Sequence, residues 1–449
     1  MKTRILFASF LALAVCGLLL LSPLVMAVAD LHVDGSTGND LGNDCANATN
    51  PCATITYALD QAGAGDTIAI AAGTYTEALI IERDVTLVGS ETDEVIIQAN
   101  DEPGTVNQRV IFVESGNRLE LRDLTVRHGA ALSGAGTGRL GGGIYVNAGD
   151  LELTRVVMTL NEAANRGGAI YNFEGSVVMT DVDFSHNSSG PGGAIRNNGG
   201  TLTMTQVDFN NNTGGRGGAL SNVNEGSVVG VNIEFRGNQG ARGGAMYSGG
   251  AASTVELTNV TFTGNHATEF GGGMANLGSS PVLANAVFSA NRTDADGQGG
   301  GFHNQGTSAS ATFANTIFWN NQDETGTGTR QASLFKSATS DIFITHSLVQ
   351  GCMPSGEGWN DDCGTDSGGN LEDQNPQFSD PIGPGSAPNA GGYFRQAEGS
   401  PVINQGDNSF ITGVSTDLDG FARIIDGTVD LGPYEFGSDL FIFRDRFEP

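Results

Sequence analysis

Apolar and polar positions alternate along most of this chain. Leu202-Thr203-Met204-Thr205-Gln206-Val207-Asp208-Phe209 reads in, out, in, then a bend, then in, out, in. Leu151 to Met158 and Val255 to Phe262 follow the same template. A period of two puts alternate side chains on opposite faces of a strand, so each template predicts a strand with one row facing a core. No amphipathic helix fits between the templates, which excludes helical and leucine-rich solenoids.

The templates recur. Gly-Gly-small-aliphatic appears at Gly141–Ile144, Gly167–Ile170, Gly192–Ile195, Gly217–Leu220, Gly243–Met246, Gly271–Met274 and Gly299–Phe302, with last residues 26, 25, 25, 26, 28 and 28 positions apart. Phe-x-x-Asn runs in phase with it, at Phe184/Asn187, Phe209/Asn212, Phe235/Asn238, Phe262/Asn265, Phe288/Asn291 and Phe318/Asn321, with Met158/Asn161 as a degenerate first member. A unit of this size cannot bury its apolar row alone and must stack on copies of itself. The expected fold is all-β: a right-handed parallel β-helix, a solenoid whose successive coils pair in parallel about 4.8 Å apart.

Stacking accounts for the residue choices. Residues one period apart form ladders, so the phenylalanines and aliphatics pile into an interior column. An inward asparagine at the end of Phe-x-x-Asn can bond the turn backbone and the asparagine of the next coil. A second row, Asn172, Asn197, Asn222, Asn276 and Asn304, lies two residues after the aliphatic position and predicts another ladder. Val85 to Val88, Val110 to Val113 and Leu119 to Val126 extend the coils upstream, and Ile342 to Val349 predicts the last one. Residues 66–350 at about 26 per coil make about eleven coils, a rod about 50 Å long.

A solenoid exposes its core at both ends, so the ends need covers. Ile55, Ala58, Leu59 and Ala62 fall at helical spacing and predict a short amphipathic helix closing an N-terminal cap over residues 30–65. Residues 351–436 lose the period, turn rich in Pro and Gly from about Leu371, and are expected to form an irregular C-terminal cap. Ahead of these, Met1 to Arg4 is a cationic start, Ile5 to Val25 an apolar run and Ala27-Val28-Ala29 a small-x-small site, so residues 1–29 read as a secretory signal peptide. The tail 437–449 reads as a candidate sorting signal or as a disordered end.

Composition sharpens the reading. Glycine is abundant, 67 in 449 residues, but periodic, which argues for tight turns over disorder. Of 21 Lys and Arg, Lys2 and Arg4 leave with the leader; the other 19 face 50 Asp and Glu, a net charge of −31. Such a surface repels phosphate backbones, so no nucleic-acid partner is expected. Cys45 with Cys52 and Cys352 with Cys363 form two close pairs, which in an exported chain predict two small disulfide loops.

Candidate chemistry is sparse. Asp183, Asp208 and Glu234 hold the outward position before Phe in three successive coils, predicting an acidic row about 4.8 Å apart. Like charges so stacked repel, and Ca2+ with its preference for oxygen would relieve them; without a ligand the row is a solvated edge. Arg166, Arg216 and Arg242 precede the Gly-Gly step, with Pro191 interrupting them, and either clamp an acidic sugar or pair with surface acids. Trp359-Asn360-Asp361-Asp362 falls inside the Cys352–Cys363 loop, and Asp417-x-Asp419-Gly420 matches only the start of a calcium loop. The six histidines share no ladder phase, and His303 is expected to be an outward turn residue. No phosphate loop, dinucleotide fingerprint or Gly-x-Ser-x-Gly occurs, and no residue is assigned a catalytic role.

The paired Gly-Gly-Ala-Ile and Phe-x-x-Asn motifs resemble the chlamydial polymorphic outer membrane protein repeats over about 141–321. Val33-Asp34-Gly35-Ser36-Thr37-Gly38-Asn39-Asp40, Pro51-Cys52-Ala53-Thr54-Ile55 and Gly73-Thr74-Tyr75 resemble the opening of exported pectate-lyase-like β-helix proteins. Asn375 to Phe378, Ser400 to Asn404, Thr416 to Gly420 and Val429 to Glu435 are similar to the choice-of-anchor Q region. The first resemblance implies an adhesin-like surface passenger of a Gram-negative bacterium, secreted or displayed on the exterior of its outer membrane. The last implies contact of the tail with a sorting machinery or the outer membrane. The pectate-lyase-like resemblance implies carbohydrate chemistry: elimination with a Lys or Arg base beside Ca2+, hydrolysis with paired carboxylates, or methylester hydrolysis with two Asp and an Arg. The expected function is an exported, monomeric, non-enzymatic β-helix that binds extracellular glycan or cell-surface ligands and requires no cofactor. The alternatives are a Ca2+-using lyase or hydrolase of uronate-containing glycans, or a spacer with no ligand.

Overall fold

The computed structural model describes residues 30–437, apart from 135, 295, 308, 357 and 412. The leader expected over 1–29 and the tail beyond 437 lie outside the described residues. The described chain is a right-handed parallel β-helix of about eleven coils. Three sheets run its length, of seventeen, ten and nine strands.

One coil shows why these residues take this shape. Ile195–Asn198 lies in the ten-stranded sheet, Thr201–Asn210 in the seventeen-stranded sheet and Thr213–Arg216 in the nine-stranded sheet. Four left-handed residues turn the chain between or within these strands: Gly199 (φ 75°), Gln206 (φ 55°), Asn211 (φ 55°) and Gly217 (φ 68°). The Gln206 position recurs in every regular coil as Asp123, Arg155, Asp181, Gln206, Asn232, Asn259, Asn285 and Asn315, all with φ between 51° and 60°. Short polar side chains tolerate this conformation best, which explains the run of asparagines. The Gly-Gly step answers a different constraint. A Cβ on Gly218 would sit 2.0 Å from the Gly244 carbonyl oxygen of the next coil, so the corner closes only around glycine.

The ladders form as the period predicts. Phe184, Phe209, Phe235, Phe262, Phe288 and Phe318 are in register through successive coils. Their rings lie nearly parallel, 4.5–5.0 Å between centroids, a spacing that the strand repeat itself imposes. Asn161, Asn187, Asn212, Asn238, Asn265, Asn291 and Asn321 are fully buried, each amide joined to the next at 2.9–3.1 Å. The second row bonds likewise between Asn172, Asn197 and Asn222 and between Asn276 and Asn304, with Ser248 interrupting it.

At the N-terminal end, strand Asp30–Val33 and helix Ile55–Gln61 cover the core, with Thr54 capping the helix and Ile55, Ala58 and Ala62 buried beneath it. Both disulfides form, Cys45–Cys52 and Cys352–Cys363. At the other end, Ile342–Val349 is followed by one more partial rung: Phe343 and Ile344 pair with Thr365 and Asp366, and Cys352 and Cys363 join the core.

The expected C-terminal cap divides into two parts with different tasks. Residues 351–371 close the end of the solenoid. The rest doubles back along its side and lies on the seventeen-stranded sheet, where Phe378, Phe394, Val402, Leu418, Leu431 and Tyr434 pack on Val287, Ile317 and Leu348. The asparagines at the bend hold this flap: Asn259 Nδ2 donates to the Thr416 carbonyl at 2.9 Å, and Asn315 exchanges bonds of 3.0 and 2.8 Å with the Asp407 backbone. Within the flap, the buried Arg423 guanidinium donates to Glu435 at 2.6 Å and to the Asp430 and Gly432 carbonyls. Asp417 is buried and its carboxylate accepts from the Phe421 and Glu435 backbone, while Asp419 pairs with Arg395 at 2.7 Å. The apparent start of a calcium loop is therefore a fold-internal hydrogen-bond centre, its oxygens already met by protein donors.

Candidate functional site

The outward column before Phe passes from Asp183, Asp208 and Glu234 to Thr261, Val287, Ile317 and Leu348, one residue per coil. Upstream the column begins with Thr125 and Val157; it carries three acids in the open sheet and turns apolar at Val287, Ile317 and Leu348, where the flap covers it. The open part forms a groove of about 260 Å3, lined by Asp123, Arg155, Asp181, Asp183, Gln206 and Asp208 among others. Arg155 grips Asp123 with two bonds of 2.5 and 2.8 Å across adjacent coils.

The predicted acidic row is in register through three successive coils. Among the described residues no group of three or more His, Cys, Asp or Glu side chains converges to hold a metal ion. Stacked strands aim their side chains in parallel, and Arg236 lies beside the row. Its Nε lies 3.4 Å from Glu234 Oε2, and Glu234, then Asp208 and Asp183, hold the guanidinium well above its ordinary pKa against the effect of burial. Asp183 is half-buried; burial raises its carboxyl, opposed by Asn210, Ser185 and Arg236. Tyr434 of the flap stands near Glu234 and Arg236, its hydroxyl pushed up by burial and by Glu234.

Reasoning along the chain missed Arg236, because its acids belong to its own coil and the two before it. A signal existed: Arg236 occupies the position after Phe, one step along the strand from the acidic row. The Arg166, Arg216 and Arg242 row also forms, one residue per coil with Pro191 in the gap. Arg242 pairs with Glu269 at 2.5 Å, as a surface arginine is expected to. The Trp359 to Asp362 loop is structural: Trp359 donates to the Gly364 carbonyl and Asp362 faces Arg330.

His303 departs from its expected place. It lies in strand Phe302–Gln305, 3% exposed, stacked between Phe270 and Phe335 at 4.3 and 4.7 Å. Burial lowers its pKa to about 4. The folded protein therefore keeps His303 neutral while the unfolded chain takes up a proton near 6.5, so its contribution is complete above pH 6.5 and is lost as pH falls toward 4. By linkage this amounts to about 3 kcal/mol. Unfolding followed from pH 7 to pH 4 should show this loss in the wild type and a flatter profile in His303→Phe; equal slopes would refute the assignment.

Comparison with known proteins finds one family and several solved structures that are similar. A family described as a protein of unknown function, DUF1565, matches residues 36–142. No curated protein matches the sequence. Among solved structures, pectate lyase Pel9A is similar at 11% identity over 91% of this chain and 97% of its own, with a TM-score of 0.46. XylC, solved with xylose, is similar at 9% identity over 91% and 98%, with a TM-score of 0.49. The A-module of the mannuronan C-5 epimerase AlgE4 from Azotobacter vinelandii is similar at 12% identity over 69% and 86%, with a TM-score of 0.30. The chain is a right-handed parallel β-helix protein. Those names describe the other proteins, and a shared fold does not transfer their chemistry.

Proposed function

We propose that this is an exported surface or matrix protein that binds glycan chains along the open half of its long sheet. The observation that carries this is the change along one outward column, from acids in an open groove to apolar side chains under the flap. Carboxylates accept bonds from sugar hydroxyls, and a row repeating every coil suits a repeating chain. The resemblance of the repeats to surface-displayed passengers and the secretory leader support the same reading. A glycan array run on the mature protein, with and without Ca2+, tests it. Neutral or amino-sugar glycans should bind, and Asp208→Asn should lose about tenfold in affinity, the worth of one charged hydrogen bond. No binding to any array member, or an Asp208→Asn variant equal to wild type, would refute it.

A second reading, hydrolysis, is favoured by one observation: Asp183 and Asp208 are neighbours, and the carboxyl of Asp183 is raised. Neighbouring carboxyls can divide the roles of acid and base when one of them holds its proton more tightly. Strand spacing of about 4.8 Å sets these two nearer the separation of double-displacement glycosidases, about 5–5.5 Å, than the wider one that admits water. With Arg236 alongside, the trio also has the composition required for methylester hydrolysis. Release of reducing ends or methanol from pectin by wild type but not by Asp183→Asn would establish this reading; inactivity on acidic and neutral glycans would remove it.

A further inference from the structure

The ten-stranded sheet carries a column of outward residues, Tyr145, Tyr171, Arg196, Ser221 and Tyr247, beside the corner column Arg166, Pro191, Arg216 and Arg242. At Pro191 the corner offers no cation, and in that same coil the sheet supplies one, Arg196. Three guanidiniums, Arg166, Arg196 and Arg216, thus meet within three coils. Arg242, the next along, is neutralised by Glu269. Among the described residues no carboxylate pairs with the other three: Arg166 reaches the Tyr171 hydroxyl at 3.4 Å, Arg216 lies over the Tyr247 ring at 5.8 Å, and Arg196 donates to Ser221 Oγ at 2.6 Å.

In a chain with this excess of acids, three uncompensated arginines side by side need an explanation. Arg196 is 7% exposed and its Nε has no hydrogen-bond partner. A buried charge without a counter-ion is costly unless a partner arrives. Burial above all, with the charges of Arg166 and Arg216 adding to it, lowers its pKa to about 10. Arg166 is half-buried and Arg216 exposed, so the cluster opens to solvent.

We propose that Arg166, Arg196 and Arg216 form a binding site for a single oxyanion, a carboxylate or sulfate group carried by an acidic saccharide. Planar guanidiniums grip such groups through paired N–H donors. The strongly acidic remainder of the surface repels extended polyanions, so the site selects a ligand with isolated charges. This corner lies apart from the acidic groove, and the proposal stands whether or not glycan binds there.

The test measures thermal stability and affinity of the mature protein with galacturonate, inorganic sulfate, galactose and, at matched ionic strength, chloride. Galacturonate should bind and raise the melting temperature over chloride and galactose. A response to galacturonate alone assigns the site to carboxylates, and an added response to sulfate extends it to sulfate esters. Arg196→Gln should lose about tenfold in affinity. Arg166→Gln and Arg216→Gln, both at solvent-accessible positions, should weaken binding in the same direction and guard against a folding defect in the buried variant. Arg330→Gln, at a surface arginine paired with Asp362 near the far end of the solenoid, should leave galacturonate binding unchanged, which separates this site from a general effect of cationic charge. If galacturonate and sulfate act no differently from chloride, or bind the three arginine variants as they bind wild type, the proposal is overturned.

Discussion

Replacing Asn212 by Ala should destabilise the middle coils by about 4 kcal/mol, far more than loss of a solvated amide. The Asn212 side chain accepts from the Asn187 backbone N–H and from Asn187 Nδ2, each at 3.0 Å, and donates to the Phe184 carbonyl at 2.8 Å and to Asn238 Oδ1 at 3.0 Å. The asparagines are fully buried, so truncation breaks four hydrogen bonds at once and strands the Asn187 backbone N–H. Each stranded group costs about 1–3 kcal/mol. Because coils interact only with neighbours, the damage should be local. Hydrogen exchange should accelerate around Asn187 to Asn238 while the coils near Ile68 keep their protection. A change below about 1 kcal/mol would mean that the ladder is decorative.

Arg423→Met should release the flap. It leaves Glu435 buried without its partner and the Asp430 and Gly432 carbonyls without a donor. Removing one member of a buried pair costs about 3–5 kcal/mol, because a charge stays behind unpaired. Burial and Asp430 already push the Glu435 carboxyl up to about 7 with Arg423 in place. Limited proteolysis should cut within 372–436 in the variant and spare the coils, and a hydrophobic dye should report exposure of Val287, Ile317 and Leu348. Adding Glu435→Gln should restore part of the protection by removing the stranded charge. A single variant as resistant as wild type would show that the apolar contacts alone hold the segment.

Both predictions rest on residues that read very differently in the linear chain. The Asn212 ladder was legible, because two motifs sharing one period leave little freedom in how coils stack. Helix Ile55–Gln61 and the two cysteine loops were legible for a similar reason: each depends on residues within about a dozen positions. Asp183, Asp208 and Glu234 were placed correctly as a row, since register follows from period. The flap was not foreseen. Its only trace is that Val287, Ile317 and Leu348 are apolar at a position that faces outward, and alternation alone cannot say what covers an outward residue. The balancing charges were missed likewise. Arg236 meets acids of its own coil and the two before it, and Arg196 fills a gap left by Pro191 in another column.

The amino-acid sequence by itself determined the architecture, the period, the inward ladders and the places where the backbone must turn. These follow from local steric preference repeated at a constant interval, and repetition converts a local rule into a global shape. Tertiary structure alone decided what happens on the outside of the coils: which half of the long sheet is covered, which arginines find acids and which do not. Such contacts join side chains from different coils or columns and a segment well over a hundred residues away. Their energy depends on distances in space that no pattern along the chain encodes.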